Sequence, residues 1–334
     1  MRAIFWNAGG RRARIRGRLL GWALDGAYAA LVVGIGFVLT QFTNGPVPFP
    51  VATGRVHHPV LASTANALTN TTAVVAFIQD GTGRAILISS DGQAALVDGG
   101  PSAAAGLEAL RLLRQWGVSS LSSVLITSGE ANALTGLLTV LPDVPVGRIY
   151  DAVPGSSCAS YDRVMTLAEE RGIAVVSALR GTSLAVGMAQ LQVLLPASEL
   201  SLPGTLPGGP ALVMLSVGPM RFLLAGTSNP RDEELAVRLG GDLRAQVLEL
   251  PGQGAADSLV PSFLDAVSPR VAVVSGSAPD NSVLHRLTQA GVAVLRTDTL
   301  GDLEFSVLGS GMTVHFSPGL PKITEQSAQS TTAC

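Results

Sequence analysis

The sequence is poor in the residues that bind zinc or cross-link small folds. Its 334 residues include only two cysteines, Cys158 and Cys334, and four histidines. Two cysteines are too few for a disulfide framework or for a zinc cluster held by thiolates. Charged residues make up 14% of the chain and aromatic residues 4%, whereas 47% is hydrophobic. A chain of this length and apolar content can bury a large core, so we expect a globular protein.

Positive charge is scarce outside the N-terminus. Six of the 22 basic residues lie within the first 18 positions, and from Thr43 onward 16 basic residues stand against 23 acidic ones, a formal charge of -7. Non-specific binding of nucleic acids depends on basic residues that neutralise phosphates. We therefore expect no nucleic-acid partner.

One long apolar run is present, LLGWALDGAYAALVVGIGFVLTQF at residues 19–42. At about 1.5 Å per helical residue, it can cross a hydrocarbon core of roughly 30 Å. The arginines before it predict a cytoplasmic N-terminus and an extracytoplasmic body, by the positive-inside rule. We interpret it as a single, uncleaved transmembrane helix in a bacterial cell membrane. The alternative is a cleaved signal peptide, but no small-x-small cleavage site follows the run.

Small residues recur along one face of this predicted helix, at Gly26, Ala30 and Gly34. Such a face permits close contact with another helix. Asp25 lies about one turn inside the span, where it reaches either the headgroups or a polar partner. The lipid bilayer and other membrane protein subunits are therefore the expected partners, although a chance pattern in a chain rich in Gly and Ala explains the face equally well.

The composition divides the chain into five segments. They are a basic cytoplasmic segment (1–18), the transmembrane helix (19–42), a Pro-rich linker (43–71), a body rich in predicted strands (72–316) and a polar tail (317–334). The linker contains His57 and His58, but two adjacent histidines without a nearby carboxylate or cysteine are a weak indication of metal binding. We interpret them as part of a solvated loop.

Short, β-branched apolar runs dominate the body. AVVAFI, RAILIS and AALVDGG, separated by the turn sequences DGTG and SDG, predict a three-stranded meander. Residues 103–116 and 131–141 have helical patterns on either side of the strand SSVLIT. Nine further strand-like runs follow, with helical segments at 161–171, 231–239, 258–267 and 282–290. Many strands with interspersed helices predict an α/β fold of two sheets packed face to face with helices outside.

Six segments of the body carry a family resemblance. They are AILISSDGQAALVDGGPS, LITSGEANALTG, RFLLAGTSNPRDEELA, VLELPGQGAADS, FLDAVSPRVAVVS and VLRTDTLGDLEFSVLG. In order and in strand-to-loop character they resemble the metallo-β-lactamase-like domain of the ComEC family of competence proteins, over about residues 73–314. The resemblance implies an αββα sandwich of the metallo-β-lactamase type, with its site at the loop ends of the two sheets.

The matching loops depart from the family's metal-binding motifs. The family's T-H-x-D-x-D-H-x-G-G corresponds here to TSGEANALTG at 127–136, its T-G-D to AGT at 225–227, and its P-H-H-G-S to PGQGA at 251–255. No histidine remains in these loops. The resemblance therefore marks the following as vestigial metal-site positions: Ser128, Glu130, Asn132, Ala133, Thr227, Gly252 and Gln253.

These substitutions argue against hydrolysis. A zinc hydrolase holds its metal with at least three N, O or S ligands from the protein, and the matching positions offer one firm ligand, Glu130. His285 lies in a predicted helix and His315 on a terminal strand, so we expect both to be ordinary surface or core residues. Ser89 and Ser275 lack a histidine in a plausible loop to activate them. We expect no metal, no cofactor and no catalytic residue.

The family's frame is nevertheless present, in Asp98-Gly99-Gly100, Gly136, Gly226 and Arg296-Thr297-Asp298. These residues can hold turns and polar strand ends in place. The leading hypothesis is a non-catalytic, membrane-anchored scaffold or docking subunit, a pseudoenzyme within a larger membrane complex. Two alternatives stay open: a sensor that binds a small molecule in the vacated pocket, and a residual ComEC-like hydrolase or nuclease that uses Glu130.

Overall fold

A computed structural model describes residues 72–81, 83–196, 210–276 and 278–317. The predicted basic segment, transmembrane helix and linker, with Asp25, Gly26, Ala30 and Gly34, lie outside the described residues, as does the tail from residue 318 onward. Within the described ranges, no helix has the length and apolar character needed to cross a membrane.

The first sheet has eight strands in the spatial order β15-β14-β1-β2-β3-β4-β5-β6. Its strands are β1 (Ala73–Phe77), β2 (Ile86–Ser90), β3 (Gln93–Val97), β4 (Ser123–Ile126), β5 (Arg148–Asp151), β6 (Ala174–Ser177), β14 (Asp302–Leu308) and β15 (Gly311–Ser317). The β2–β3 hairpin turns at Asp91 and Gly92, both at positive φ, which is the conformation that the sequence DG favours in two-residue hairpin loops. From β3 to β6 the strands run parallel.

The second sheet has seven strands in the order β13-β12-β11-β10-β9-β8-β7. They are β7 (Ser183–Val186), β8 (Ala189–Leu195), β9 (Leu212–Val217), β10 (Met220–Leu224), β11 (Val247–Glu249), β12 (Val271–Val274) and β13 (Ala293–Arg296). Strands β10 to β13 run parallel, and β7 to β10 form antiparallel pairs.

Helices and one 3₁₀ turn connect these strands. They are α1 (Ala103–Gln115), α2 (Ala131–Leu134), α3 (Leu137–Asp143), α4 (Ala159–Glu170), α5 (Pro230–Leu239), α6 (Pro261–Val267), α7 (Asn281–Gln289), α8 (Thr297–Leu300) and the turn Pro251–Gly254. The start of α5 follows from its sequence, because Asn229 and Asp232 cap each other's backbone N–H groups around Pro230.

The two sheets face each other across an apolar interior. Phe305 of the first sheet contacts both Phe77 and Phe222 edge-to-face, with ring centroids 5.7 Å apart in each pair, and Phe222 belongs to the second sheet. Helices α1, α3 and α4 pack on the outer face of the first sheet, and α5, α6 and α7 pack on that of the second. The predicted α/β arrangement of two sheets with helices outside is confirmed.

Two local predictions were wrong, and one strand was missed. Residues 131–141 form two helices instead of one, because the Gly136 N–H donates to Gly100 C=O and the Asn132 C=O accepts from Arg84 N–H, so the helical bond between Gly136 and Asn132 is not made. Strand β7 was not predicted. The last residues of VAVLRTD leave the sheet at Arg296 to form α8, where the Thr297 hydroxyl accepts a hydrogen bond from Gly276 N–H and donates one to Val274 C=O.

Candidate functional site

Polar loops from both sheets gather where the parallel strands end. The carboxyl ends of parallel strands are where ligands bind in α/β sheets. Asp98 follows β3, Thr127 follows β4, Thr227 lies beyond β10, and Glu249 ends β11. We call the group formed by Arg84, Asp98, Thr227 and Glu249 the loop centre.

Asp98 is fully buried at the end of β3, at a positive φ of 58°. Its carboxylate accepts hydrogen bonds from both the N–H (2.8 Å) and the hydroxyl of Thr127, which joins the β3 and β4 loops. Burial raises the pKa of Asp98, while the neighbouring Arg84 guanidinium and the bonds from Thr127 act in the opposite direction. The glycines after it let the backbones meet: Gly99 N–H donates to Ala133 C=O (2.6 Å), and Gly136 N–H donates to Gly100 C=O (3.1 Å).

The predicted metal-site positions of the first matched loop differ in their burial and in their contacts. Ser128 is buried, and its hydroxyl accepts a hydrogen bond from Glu130 N–H at 3.2 Å. Glu130 itself is exposed and immediately precedes α2. Asn132 is half-buried, with its carbonyl oxygen accepting from Arg84 N–H at 3.3 Å, and Ala133 is buried in the core of the first sheet. The single carboxylate of this loop therefore lies at the protein surface.

The second and third matched loops contact each other. Gln253 N–H donates to Gly226 C=O at 3.3 Å, so the turn that contains Gly252 and Gln253 lies against the loop that contains Thr227. Glu249, fully buried, accepts hydrogen bonds from Gly226 N–H and the Ser275 hydroxyl, each at 3.2 Å. This carboxylate belongs to β11 and not to a matched loop.

Arg84 joins the two sheets at the loop centre. It precedes β2, and only 2% of its side chain is exposed. Its Nε lies 3.1 Å from Asp98 Oδ2 and 3.5 Å from Glu249 Oε1, and its Nη1 donates to Thr227 Oγ1 at 3.4 Å. A guanidinium thus lies between one carboxylate from each sheet, beside the position where the family's motif has a metal-binding aspartate.

These residues do not fit a metal ion. Zinc in hydrolases is held by nitrogen, oxygen or sulfur ligands around an open position. Here the matched positions contribute two hydroxyls, two amides, an alanine, a glycine and one exposed carboxylate, that of Glu130. The two buried carboxylates of the loop centre already contact a cation. Across the described ranges, no group of three or more His, Cys, Asp or Glu side chains could hold a metal ion.

Sequence reasoning identified some members of the loop centre and missed others. Asp98 and Gly226 were named as parts of the frame, and Thr227 as a vestigial metal-site position, and the structure brings these together. Arg84 and Glu249 were missed. A signal existed for both, because each is a lone charge beside or within an apolar strand segment, RAILIS and AQVLEL. His285 and His315, as expected of ordinary residues, are exposed on α7 and β15.

A second buried polar contact lies next to the first matched loop. The Tyr161 hydroxyl donates to Asp151 Oδ2 at 2.6 Å and accepts from Gly155 N–H at 3.2 Å. Burial, followed by the Asp151 contact, raises the pKa of Tyr161 to about 12. Burial also raises the pKa of Asp151. Ser156 follows Gly155, and its hydroxyl donates to Gly129 C=O at 3.3 Å. This bond links the segment that contacts Tyr161 to the first matched loop.

Two cavities of the body lie away from the loop centre. One of about 320 Å³ lies between α3 and α4, lined by Leu138, Pro142, Arg163, Thr166, Leu167 and Glu170. The other, of about 250 Å³, lies between β8 and the end of α5 and includes Arg180 and Arg221. Neither cavity is lined by a vestigial metal-site position.

The two sheets with outer helices define a mixed α/β fold of two layers. Solved structures with a similar overall arrangement include the metallo-β-lactamase fold protein YhfI from Bacillus subtilis (11% identity, TM-score 0.48, covering 67% of this chain and 96% of YhfI). Zn²⁺-bound PqqB from Methylobacterium extorquens is another (16% identity, TM-score 0.46, covering 70% of this chain and 100% of PqqB).

The chain is homologous to two proteins of the ComEC type, as the resemblance of its motifs predicted. It is 27% identical over 250 residues to Competence protein ComA of Neisseria gonorrhoeae, covering 72% of this chain and 33% of that protein. It is 23% identical over 195 residues to ComE operon protein 3 of Bacillus subtilis, covering 57% of this chain and 25% of that protein. The matches thus span about a quarter to a third of the relatives' length. No protein-family model matches the chain.

Proposed function

We propose that this protein is a non-catalytic scaffold or docking subunit, anchored in the bacterial cell membrane by residues 19–42 and related in role to competence. The names of its two relatives support the competence-related part of the proposal. The metallo-β-lactamase-like body would supply the docking surface, on the extracytoplasmic side of the membrane.

The observation that carries the proposal is the chemistry of the loop centre. In a metal-dependent hydrolase of this fold, the loops at the strand ends hold a dication and an activated water. In this chain a guanidinium contacts the buried carboxylates Asp98 and Glu249, and Ser128 and Ala133 occupy the two histidine positions of the first loop. The remaining matched carboxylate, Glu130, is exposed. This arrangement favours a body kept for binding over one kept for hydrolysis.

Elemental analysis tests the non-catalytic part. We expect purified protein to contain no stoichiometric zinc, manganese or iron. One or more tightly held ions per chain would contradict the proposal and favour the residual hydrolase or nuclease that uses Glu130. In that case Glu130→Gln should remove the hydrolytic activity, with the exposed Glu169→Gln as a matched control.

The membrane topology can be tested in spheroplasts. If the arginines before residue 19 keep the N-terminus inside, a protease added outside should digest the body and spare the anchor. A body that stays intact until detergent is added would contradict the proposed orientation.

The partners can be tested by isolating the protein from native membranes and identifying the proteins that accompany it. The paired substitutions Ala30→Leu and Gly34→Leu should lower recovery of membrane subunits, because they enlarge the small-residue face. Val32→Leu, on the opposite side of the predicted helix, is the matched control and should leave recovery unchanged. Equal recovery in both variants, with an intact melting transition, would show that this face contacts only lipid.

The sensor alternative predicts a different result. A ligand that binds the folded state raises the melting temperature in proportion to the logarithm of its concentration. A small molecule that produces this rise, and loses it when Gln253 or Thr227 is changed to alanine, would favour a sensor over a scaffold.

A further inference from the structure

Arg84 is the cation of the loop centre, and its surroundings differ from those of an ordinary surface arginine. Arginine is almost never fully buried unless it is paired. Its Nε lies within 3.5 Å of two carboxylates, Asp98 and Glu249, that come from opposite sheets. The side chain therefore connects the two layers of the sandwich at the edge where the loops meet.

The contacts of this guanidinium are dominated by charge. Nε lies at ion-pair distance from both carboxylates, yet neither Nε nor Nη2 makes an aligned hydrogen bond to any residue that the structure describes. The one hydrogen bond of the group is the 3.4 Å contact from Nη1 to Thr227. A positive charge between two negative ones is stabilising here even without directed bonds, because the interior screens charges weakly.

The carboxylates are held ready for a cation by neutral donors. Asp98 is fixed by the N–H and the hydroxyl of Thr127, and Glu249 by Gly226 N–H and Ser275 Oγ. Gly226 also leaves the space that the contact needs. A Cβ there would lie 2.6 Å from Glu249 Oε1 and 3.1 Å from Arg84 Cδ, so a larger residue would push the guanidinium and the carboxylate apart.

We propose that the Arg84 guanidinium is a built-in cation that replaces a metal ion at the loop centre, offsetting part of the negative charge of Asp98 and Glu249 and holding the two sheets together. The contact with Thr227 places its charge beside the matched metal position, where it also repels a dication. The inference goes beyond the scaffold function, since it holds whether or not the body docks to a partner. It shares with that function only the expectation that no metal binds here.

A cycle of charge removal tests this role in the purified full-length protein. Arg84→Met keeps an unbranched chain of similar reach but leaves the two carboxylates buried without a cation, so the Tm should fall by about 10 °C. Asp98→Asn combined with Glu249→Gln should also lower the Tm, because it leaves the guanidinium without a counter-charge. The triple variant, with all three charges removed, should regain at least half of the loss caused by Arg84→Met.

The outcomes separate charge from shape. A triple variant that melts no higher than Arg84→Met, or an Arg84→Met Tm within about 2 °C of wild type, would overturn the proposal. If Arg84→Met yields no folded protein, the triple variant decides the question: a folded triple variant supports the charge role, and an unfolded one overturns it. Co-purification of partners by wild-type protein is unaffected by any of these results, so failure here is distinct from failure of the scaffold function.

Discussion

In the described part of the chain, two pairs of buried carboxyl groups lie near an arginine. The pairs differ in whether that arginine is itself buried or exposed to solvent. At the loop centre both the carboxylates and Arg84 are buried. On the outer face of the first sheet, Glu108 of α1 and Asp302 of β14 are 6% and 3% exposed, but their arginine, Arg111, is 45% exposed. Arg84 acts on its carboxylates in an interior that screens charges weakly, whereas solvent screens the charge of Arg111.

The pKa of Asp302 shows the net effect of the contacts in the second pair. Burial, together with the hydrogen bond and charge of Glu108, raises the pKa of Asp302 to about 7, against the hydrogen bond from Gln79 N–H. Burial also acts to raise the pKa of Glu108, but its bidentate contact with Arg111 and its bond with Asp302 hold that pKa below the usual value. Asp302 therefore takes up its proton as the pH falls through about 7, whereas the lowered pKa of Glu108 favours its ionised form.

The largest effect should follow from breaking the buried centre. Asp98→Ala removes a carboxylate that contacts Arg84 and accepts two hydrogen bonds from Thr127, so we expect the free energy of unfolding to fall by about 3–5 kcal/mol. Urea denaturation measures this loss. A loss below about 1 kcal/mol would show that the buried centre is no more sensitive than a surface pair.

The effect of the Glu108–Asp302 pair should appear in the pH dependence of folding stability. Because the folded-state pKa of Asp302 lies above its unfolded value, the folded state binds the extra proton and is stabilised at low pH. This contribution is complete below about pH 4 and is lost as the pH rises through about 7. We expect Asp302→Asn to remove a fall in stability on the order of 2 kcal/mol between pH 5 and pH 8.

The free energy of unfolding must be measured as a function of pH in both the wild type and Asp302→Asn. Asparagine still accepts the hydrogen bond from Gln79 N–H, so a change in the pH slope reports the proton and not a lost contact. Parallel stability-versus-pH curves for wild type and variant would contradict the prediction.

A smaller effect is expected where a buried acid contacts no arginine. Tyr161→Phe deletes the hydroxyl that donates to Asp151 and leaves Val153 N–H as the remaining donor to that carboxylate. We expect a loss of about 1 kcal/mol in the free energy of unfolding. Thermal unfolding followed by circular dichroism measures this loss. A loss as large as that of Asp98→Ala would show that a buried carboxylate depends on a neutral donor as strongly as on an arginine.

The smallest effect should come from an exposed pair. Arg221 contacts Asp242, whose side chain is 64% exposed, and solvent screens this contact. Asp242→Ala should change the free energy of unfolding by less than about 1 kcal/mol. This variant is also the matched control for Asp98→Ala, because both delete an aspartate that contacts an arginine.

Several local features could be predicted from the sequence because neighbouring residues decide them. Three of them depend on side chains within a few positions. They are the DG turn of the β2–β3 hairpin, the capped start of α5 and the helical spacing of apolar residues in α1. The family resemblance rests on such local motifs, and the homologues confirm it. The transmembrane helix at 19–42, by contrast, stays a prediction.

The break between α2 and α3 depended on residues far along the chain. A helix over 131–141 agrees with the local pattern, and the break arises because the Gly136 N–H donates to the C=O of Gly100, which follows a different strand. Likewise the strand at 292–298 ends early because Thr297 binds Val274 and Gly276 of the neighbouring strand and loop. Neither contact leaves a signal in the segment that it alters.

By itself, the sequence determined the α/β class and the family resemblance, since these follow from local patterns and residue identity. Only the tertiary structure decided which charged residues meet at the loop centre. Arg84, Asp98 and Glu249 lie in separate segments, and a lone charge at a strand end is also what an exposed loop contains. The packing of the two sheets brings the three charges together and excludes water. Because they are buried, removal of one charge leaves another uncompensated, so we expect stability to depend on all three.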